Sequence, residues 1–286
     1  MGSLIAGQLF AGLVSGAILV LLALGLALIF GHLRLVNFAH GSFYMLGAYV
    51  GYETIRRGGN FWVALVVVPV VLGLLGVVIE RTLVKRLYGR TLQDLLLLTY
   101  GMSFVMIELV KITYGASGIP FDVPEALRGA QRIGDAVFPN YLLFTAVAAA
   151  ATVGLIYLLL ERTDTGLIIR AGSKDDVMVK ALGIDFDRTR TLVFSVGVAL
   201  AGFAGLLVAP RMGVSPDMGF AVMIFALVTV VVGGLGSFWG AVLGGLLIGT
   251  VQTLTAVLVP ELSRLVVFVL MGVVVFLRPS GLMGTD

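Results

Sequence analysis

The charge-free stretches set the frame of this chain. Leu4–Phe30, Phe61–Ile79, Tyr141–Leu160 and Thr191–Ala209 contain no Asp, Glu, Lys or Arg. Each approaches the ~20 residues with which a helix crosses a bilayer. Met218–Val259 is also charge-free but too long for one crossing, and Gly233-Gly234-Leu235-Gly236-Ser237 breaks it into two. Leu265–Leu277 is a shorter last span, with Arg264 able to snorkel at its edge. Leu92–Thr113 keeps Asp94, Glu108 and Lys111 near its ends and still reads as a crossing. Val36–Tyr52 is short and carries Asn37 and His40, so it reads as a short crossing or a re-entrant half-helix. The pattern predicts an all-α integral membrane protein, a polytopic bundle of eight or nine transmembrane helices, forming a single domain over 1–286.

Composition agrees. Of the 286 residues, 59% are hydrophobic and 12% charged, about half the charge that coats a soluble domain. The expected solvent is the lipid bilayer. Cysteine is absent, which excludes disulfides, thiolate metal sites and a cysteine nucleophile. The first Lys or Arg is Arg34, so no basic leader precedes the first apolar run, which is expected to remain as a helix.

Basic residues in short loops orient the bundle. Glu80–Arg90 holds Arg81, Lys85, Arg86 and Arg90, and Glu161–Arg190 holds Arg162, Arg170, Lys174, Lys180, Arg188 and Arg190. Both are expected in the cytoplasm, as is the C-terminal tail with Arg278. Tyr114–Asn140 and Pro210–Asp217 then fall outside. Arg56 and Arg57 also fall outside, against the trend. The N-terminus lies outside if Val36–Tyr52 crosses, inside if it re-enters.

Glycine, at 38 residues, recurs at i, i+4 spacing: Gly12/Gly16, Gly47/Gly51, Gly236/Gly240/Gly244 and Gly245/Gly249. Small residues so spaced let helix backbones approach closely in lipid.

Two segments carry the candidate chemistry. In LRLVNFAHGSFYMLGAY, residues 33–49, polar groups sit at membrane depth, where they are expensive. On a helix, Asn37, His40, Gly41 and Tyr44 share one face. They either hydrogen-bond inside the bundle or line a passage. In 161–190, Ser173 resembles an N-cap followed by Lys174, Asp175 and Asp176, and Gly183 fits a helix stop. A short helix is expected at about Lys174–Leu182, with Met178 and Val179 or Leu182 as its apolar stripe. It either rests on headgroups or docks a soluble partner. No catalytic constellation, metal site or phosphate loop appears, and the scattered basic residues disfavour nucleic acid.

These segments resemble a known family. LVNFAHGSFYMLGAY (35–49), TDTGLIIRAGSKDDVMVKALGID (163–185), VVGGLGSFWGAVLGGLLIG (231–249) and RPSGLMG (278–284) are similar, in order and spacing, to the LivH-type branched-chain amino acid permeases among the ABC importer membrane subunits. Where that family is often alanine-rich, this chain has Val179 and Lys180. The resemblance implies a non-catalytic subunit of the bacterial inner membrane without cofactors. It implies a second, related permease as partner, two cytoplasmic ATPases and a periplasmic substrate-binding protein. Arg170, Lys174, Asp175, Asp176, Lys180 and Gly183 would couple to an ATPase. Asn37, Phe38, His40, Gly41, Tyr44 and Gln252 would line the translocation pathway. Urea, amides, other amino acids or aromatic acids are alternative cargoes. A secondary transporter, which would need mid-membrane titratable groups, and a passive channel are the other classes weighed.

Overall fold

The computed structural model describes residues 2–33, 36–134 and 136–284. Arg34 lies outside them, and the Asp176 side chain is likewise not described. Every apolar run named above is helical. The long helices are α1 (Gly2–Leu33), α2 (His40–Arg56), α3 (Phe61–Thr82), α4 (Leu92–Tyr114) and α5 (Asn140–Arg162). After two short helices, α6 (Asp164–Lys174) and α7 (Asp176–Ala181), come α8 (Phe186–Met212), α9 (Met218–Gly233), α10 (Phe238–Leu258) and α11 (Leu265–Leu277). Among the described residues, six helices (α1, α3, α4, α5, α8 and α10) are long and apolar enough to cross a membrane, and α9 and α11 are shorter apolar helices.

Three details differ from the sequence expectation. The structure is not purely α: Ala130–Ile133 and Ala136–Pro139 form an antiparallel two-stranded ribbon between α4 and α5. Four-residue strands are too short to stand out as a period. The second helix is displaced to His40–Arg56. The Asn37 side chain accepts from Ala39 N (3.1 Å) and its carbonyl from His40 N (3.1 Å), a local turn that delays the helix. Asn37 therefore precedes the helix and shares no helical face with His40. Third, the helix expected from Lys174 starts at Asp176. Ser173 instead donates to Arg170 O within α6, and the Asp175 carboxylate accepts from Met178 N (2.9 Å) as the cap.

Contacts sort the chain segments between two ends of the bundle. At one end, His32 of α1 meets Ile169 O of α6 (2.7 Å), Lys85 pairs with Asp187 (3.0 Å), and the tail bonds back to α9 through Leu282 N to Val232 O (2.9 Å). At the other, Phe10 of α1 packs on Phe138 of the ribbon, Ile119 bridges Val214, and Tyr114 donates to Glu53 (3.3 Å). The second segment runs from the first end, where α1 finishes, to the second, where Glu53 and Arg56 lie. It does not turn back.

The contacts reveal an inverted internal repeat. α1–α4 and α8–α11 pass between the two ends in opposite senses. α1 packs on α10 as α8 packs on α3, α2 lies on α8 as α9 lies on α1, and α2 and α9 meet. Gly25 and Gly197 face each other reciprocally, as do Gly41 and Gly219, marking the pseudo-twofold. Gly59-Asn60-Phe61-Trp62 before α3 echoes Gly236-Ser237-Phe238-Trp239 before α10. The Asn60 and Ser237 side chains each cap the helix that follows (3.0 Å to Val63 N and Gly240 N).

Glycine makes the seams. A Cβ on Gly16 would lie 2.8 Å from Gly245 O and 2.9 Å from Leu246 Cα, and one on Gly12 3.0 Å from Thr250 Cα. Gly76 holds the equivalent place against Ser195 Cα on the other side (2.9 Å). The backbones thus pack at distances that side chains would forbid, the source of van der Waals cohesion where lipid removes the hydrophobic drive.

Candidate functional site: a half-helix crossing and a docking loop

His40, at the start of α2, is fully buried, and its Nε2 lies 3.0 Å from Leu22 O in the middle of α1. Leu22 precedes the end of α1 by eleven residues, a depth of about 16 Å at helical rise. Hence 36–39 enters the bundle as non-helical chain, and α2 begins inside it. α9 does the same from the opposite side, because its Gly219 touches Gly41. Two helix N-termini therefore meet within the bundle.

A cavity of about 110 Å³ opens at this crossing. Phe38 and Gly41 line it, as do Ser42, Ser103, Gly219 and Met223. The Ser42 and Ser103 hydroxyls are 2.7 Å apart. Among the other residues expected on a pathway, His40 bonds toward α1 and Tyr44 is buried beside α8, where its carbonyl faces Gly205. Asn37 is buried, with Nδ2 lacking a hydrogen-bond partner. Gln252 is half-buried on α10, whose neighbours include α1, α9 and α11, and it is not part of this lining. The structure thus gathers Phe38 and Gly41 and disperses the rest. Sequence reasoning missed Ser42, Ser103, Gly219 and Met223. The repeated Gly-x-Phe-Trp motif was the available signal, since it aligns Gly41 with Gly219 to within a residue.

The loop 161–190 forms the second candidate site. Thr163 caps α6 through Gly166 N (3.0 Å), and Arg170 is ion-paired with Glu161. Lys174 ends α6, exposed, and Asp175 caps α7. Val179 is buried, anchoring α7, whereas Val177 (72% exposed), Met178 (58%) and Leu182 (72%) face outward. Lys180 is exposed among them. Gly183, at φ +80, ends the helix in the left-handed conformation that glycine adopts at no steric cost.

Beneath this loop lies a polar cluster that the sequence did not suggest. Glu80 is fully buried, and its oxygens accept from Tyr88 (2.8 Å) and Thr191 (2.6 Å). Burial, then the hydrogen bond from its hydroxyl to Glu80, push the Tyr88 phenol up, so it remains a donor. Arg190 stacks on the Tyr88 and Phe186 rings at 4.9 and 5.1 Å.

A helical bundle with paired discontinuous helices, an inverted repeat and an apolar helix exposed at one end is the architecture of a membrane permease. The chain belongs to the family described as branched-chain amino acid transport system, permease component, which matches residues 8–275. It is 31% identical to the permease protein BraD of Pseudomonas aeruginosa over 97% of this chain and 95% of that one. It is 29% identical to LivH of Escherichia coli K12 over 97% and 94%. LivM of the same organism is 29% identical over 93% of this chain and 68% of its own length, so two permeases of one transport system are both similar to it. No solved structure matches.

Proposed function

We propose that this chain is a non-catalytic, membrane-spanning permease subunit of a binding-protein-dependent ABC importer for branched-chain amino acids. The observation that carries the reading is α7, a six-residue helix with Val177 and Met178 turned outward, continued by the exposed Leu182 just after it. An apolar face at a polar bundle end invites a protein partner. The relatives' names supply the cargo class, and the similarity to both LivH and LivM supports a heterodimeric pore.

In this reading α1–α5 and α8–α11 cross the inner membrane. The end that carries 80–90 and 161–190 is cytoplasmic, by its excess of Lys and Arg. The C-terminus lies there too, and the N-terminus lies outside with the ribbon. Two ATPases dock under the permease pair, one of them gripping α7 with Arg170, Lys174, Asp175, Asp176, Lys180 and Gly183 around it. A periplasmic binding protein delivers the amino acid. ATP-driven closure of the ATPases moves α7, and Val179 transmits the movement to the bundle. The passage runs past Phe38 and Gly41 at the start of α2.

Co-purification tests this. A tagged chain expressed with its genomic neighbours should retain a second permease and two ATPases in detergent. Recovery of the chain alone, moving amino acid into liposomes without ATP, overturns the reading.

A further inference from the structure

We propose that the groove between α3 and α4 is a binding site for one anionic phospholipid, with an acyl chain lying along α4 and the phosphate met by Arg90. The site is separate from the passage. The importer reading enters only in assigning the lipid to the cytoplasmic leaflet.

The groove follows from how α4 is held. Its main neighbours are α2 and the short turn Val84–Leu87, and α3 is not among them. The space left beside α3 has a volume of about 800 Å³, within the range of small-molecule sites. Leu75 and Ile79 of α3, with Leu83 and Leu87 beyond it, form one side, and α4 forms the other from Leu97 to Leu109. Leu83, Leu97 and Leu109 are exposed, so the groove opens sideways. For a bundle this apolar the medium there is lipid. Gly101 keeps the middle clear, since a Cβ on it would meet nothing within 4 Å.

Such a groove would take any hydrocarbon chain, and its mouth is what selects. Arg90 and Asp94 are the charged residues that line it, both toward the N-terminal end of α4. Asp94 is answered from within. Its carboxylate accepts from the Thr91 hydroxyl (2.9 Å), and it lies in the first turn of α4, where the helix dipole favours an acid. Arg90 is exposed and has no ion pair among the described residues. Arg81 and Arg86, in the same stretch, are likewise exposed and without an ion pair there. Lys85, by contrast, is held by Asp187 (3.0 Å). A basic cluster beside an apolar groove at the membrane surface matches an anionic headgroup. The planar guanidinium can grip a phosphate with two hydrogen bonds.

The length agrees. From Asp94 to Leu109, α4 rises about 22 Å. One leaflet supplies about 15 Å, half of the ~30 Å hydrocarbon core. A chain whose phosphate sits at Arg90 therefore ends inside the groove, near Val105. Charge argues against a second permease seated here. A related subunit oriented alike would bring its own Lys and Arg to this end and set like charge against Arg90.

Native mass spectrometry of the purified, delipidated chain in detergent tests this, with dioleoyl phosphatidylglycerol and dioleoyl phosphatidylcholine as probes. The first phosphatidylglycerol should bind at least fivefold more tightly than phosphatidylcholine. Arg90→Gln should weaken phosphatidylglycerol about fivefold, the worth of one basic residue beside an anionic headgroup, and leave phosphatidylcholine unchanged. Val105→Trp, which fills the groove from an exposed position, should weaken both lipids. Arg162→Gln, a basic residue of the other loop, controls for charge alone and should match the parent. Equal affinity for the two lipids in the parent, or a preference that survives Arg90→Gln, overturns the proposal. So does loss of the bound phosphatidylglycerol when a second permease associates, which would make the groove a protein interface. The measurement uses neither ATPase nor transport, so its result stands or falls apart from the importer reading.

Discussion

Thr191 donates a 2.6 Å hydrogen bond to Glu80, tying α8 to α3 beneath the 161–190 loop. Both residues are buried, and Tyr88 satisfies the second carboxylate oxygen. A buried carboxylate is costly unless its lone pairs are met. Thr191→Val keeps the shape and removes the donor. It should lower stability by roughly 1–3 kcal/mol, read as an earlier thermal midpoint in detergent. Tyr88→Phe should cost a similar amount. An unchanged midpoint in both variants would show that water replaces the lost donors and that the tie is not structural.

The seam of α1 and α10 depends on missing side chains. Gly16→Val places carbon against Gly245 O and Leu246 Cα. Overpacking of this kind costs about 1–3 kcal/mol or more. The variant should lose monodispersity in size-exclusion chromatography. Gly101→Val on α4, where nothing lies within 4 Å, is the matched control and should behave as the parent.

His40 bonds to Leu22 O, in contact with Gly25, away from the cavity. His40→Ala removes a buried ring and a hydrogen bond. It should destabilise the bundle by about 2–4 kcal/mol while leaving the leucine concentration for half-maximal uptake unchanged in the surviving protein. A selective rise in that concentration, with stability intact, would place the ring on the passage instead.

The exposed face of α7 predicts a separable defect. Met178→Glu should weaken retention of the ATPases in pull-down without moving the thermal midpoint of the permease, because Met178 packs outward. Val179→Asp, at a buried position, should lower both. Equal ATPase recovery with Met178→Glu would remove α7 from the interface.

Much of this protein was legible along the chain. Every apolar run became a helix, because a backbone in lipid must bond within its own segment and length follows from bilayer thickness. The spacing of Gly12, Gly16, Gly245 and Gly249 announced a close seam, because i, i+4 puts residues on one helical face. The sequence could not state that Gly16 meets Gly245 rather than Gly51, since a small-residue face does not name its partner.

The tertiary structure decided the rest. Asn37 and His40 were both apolar-frame polar residues, yet one caps a turn and the other bonds to Leu22 O. Glu80 looked like a loop acid and is a buried acceptor, because Thr191, 111 residues away, packs against it. Ser42 and Ser103, 61 residues apart, become a hydroxyl pair only once α2 and α4 pack together. Hydrophobic periodicity is a property of consecutive residues and is written in the chain. A cavity is made by residues far apart in sequence, so only the packed bundle defines it.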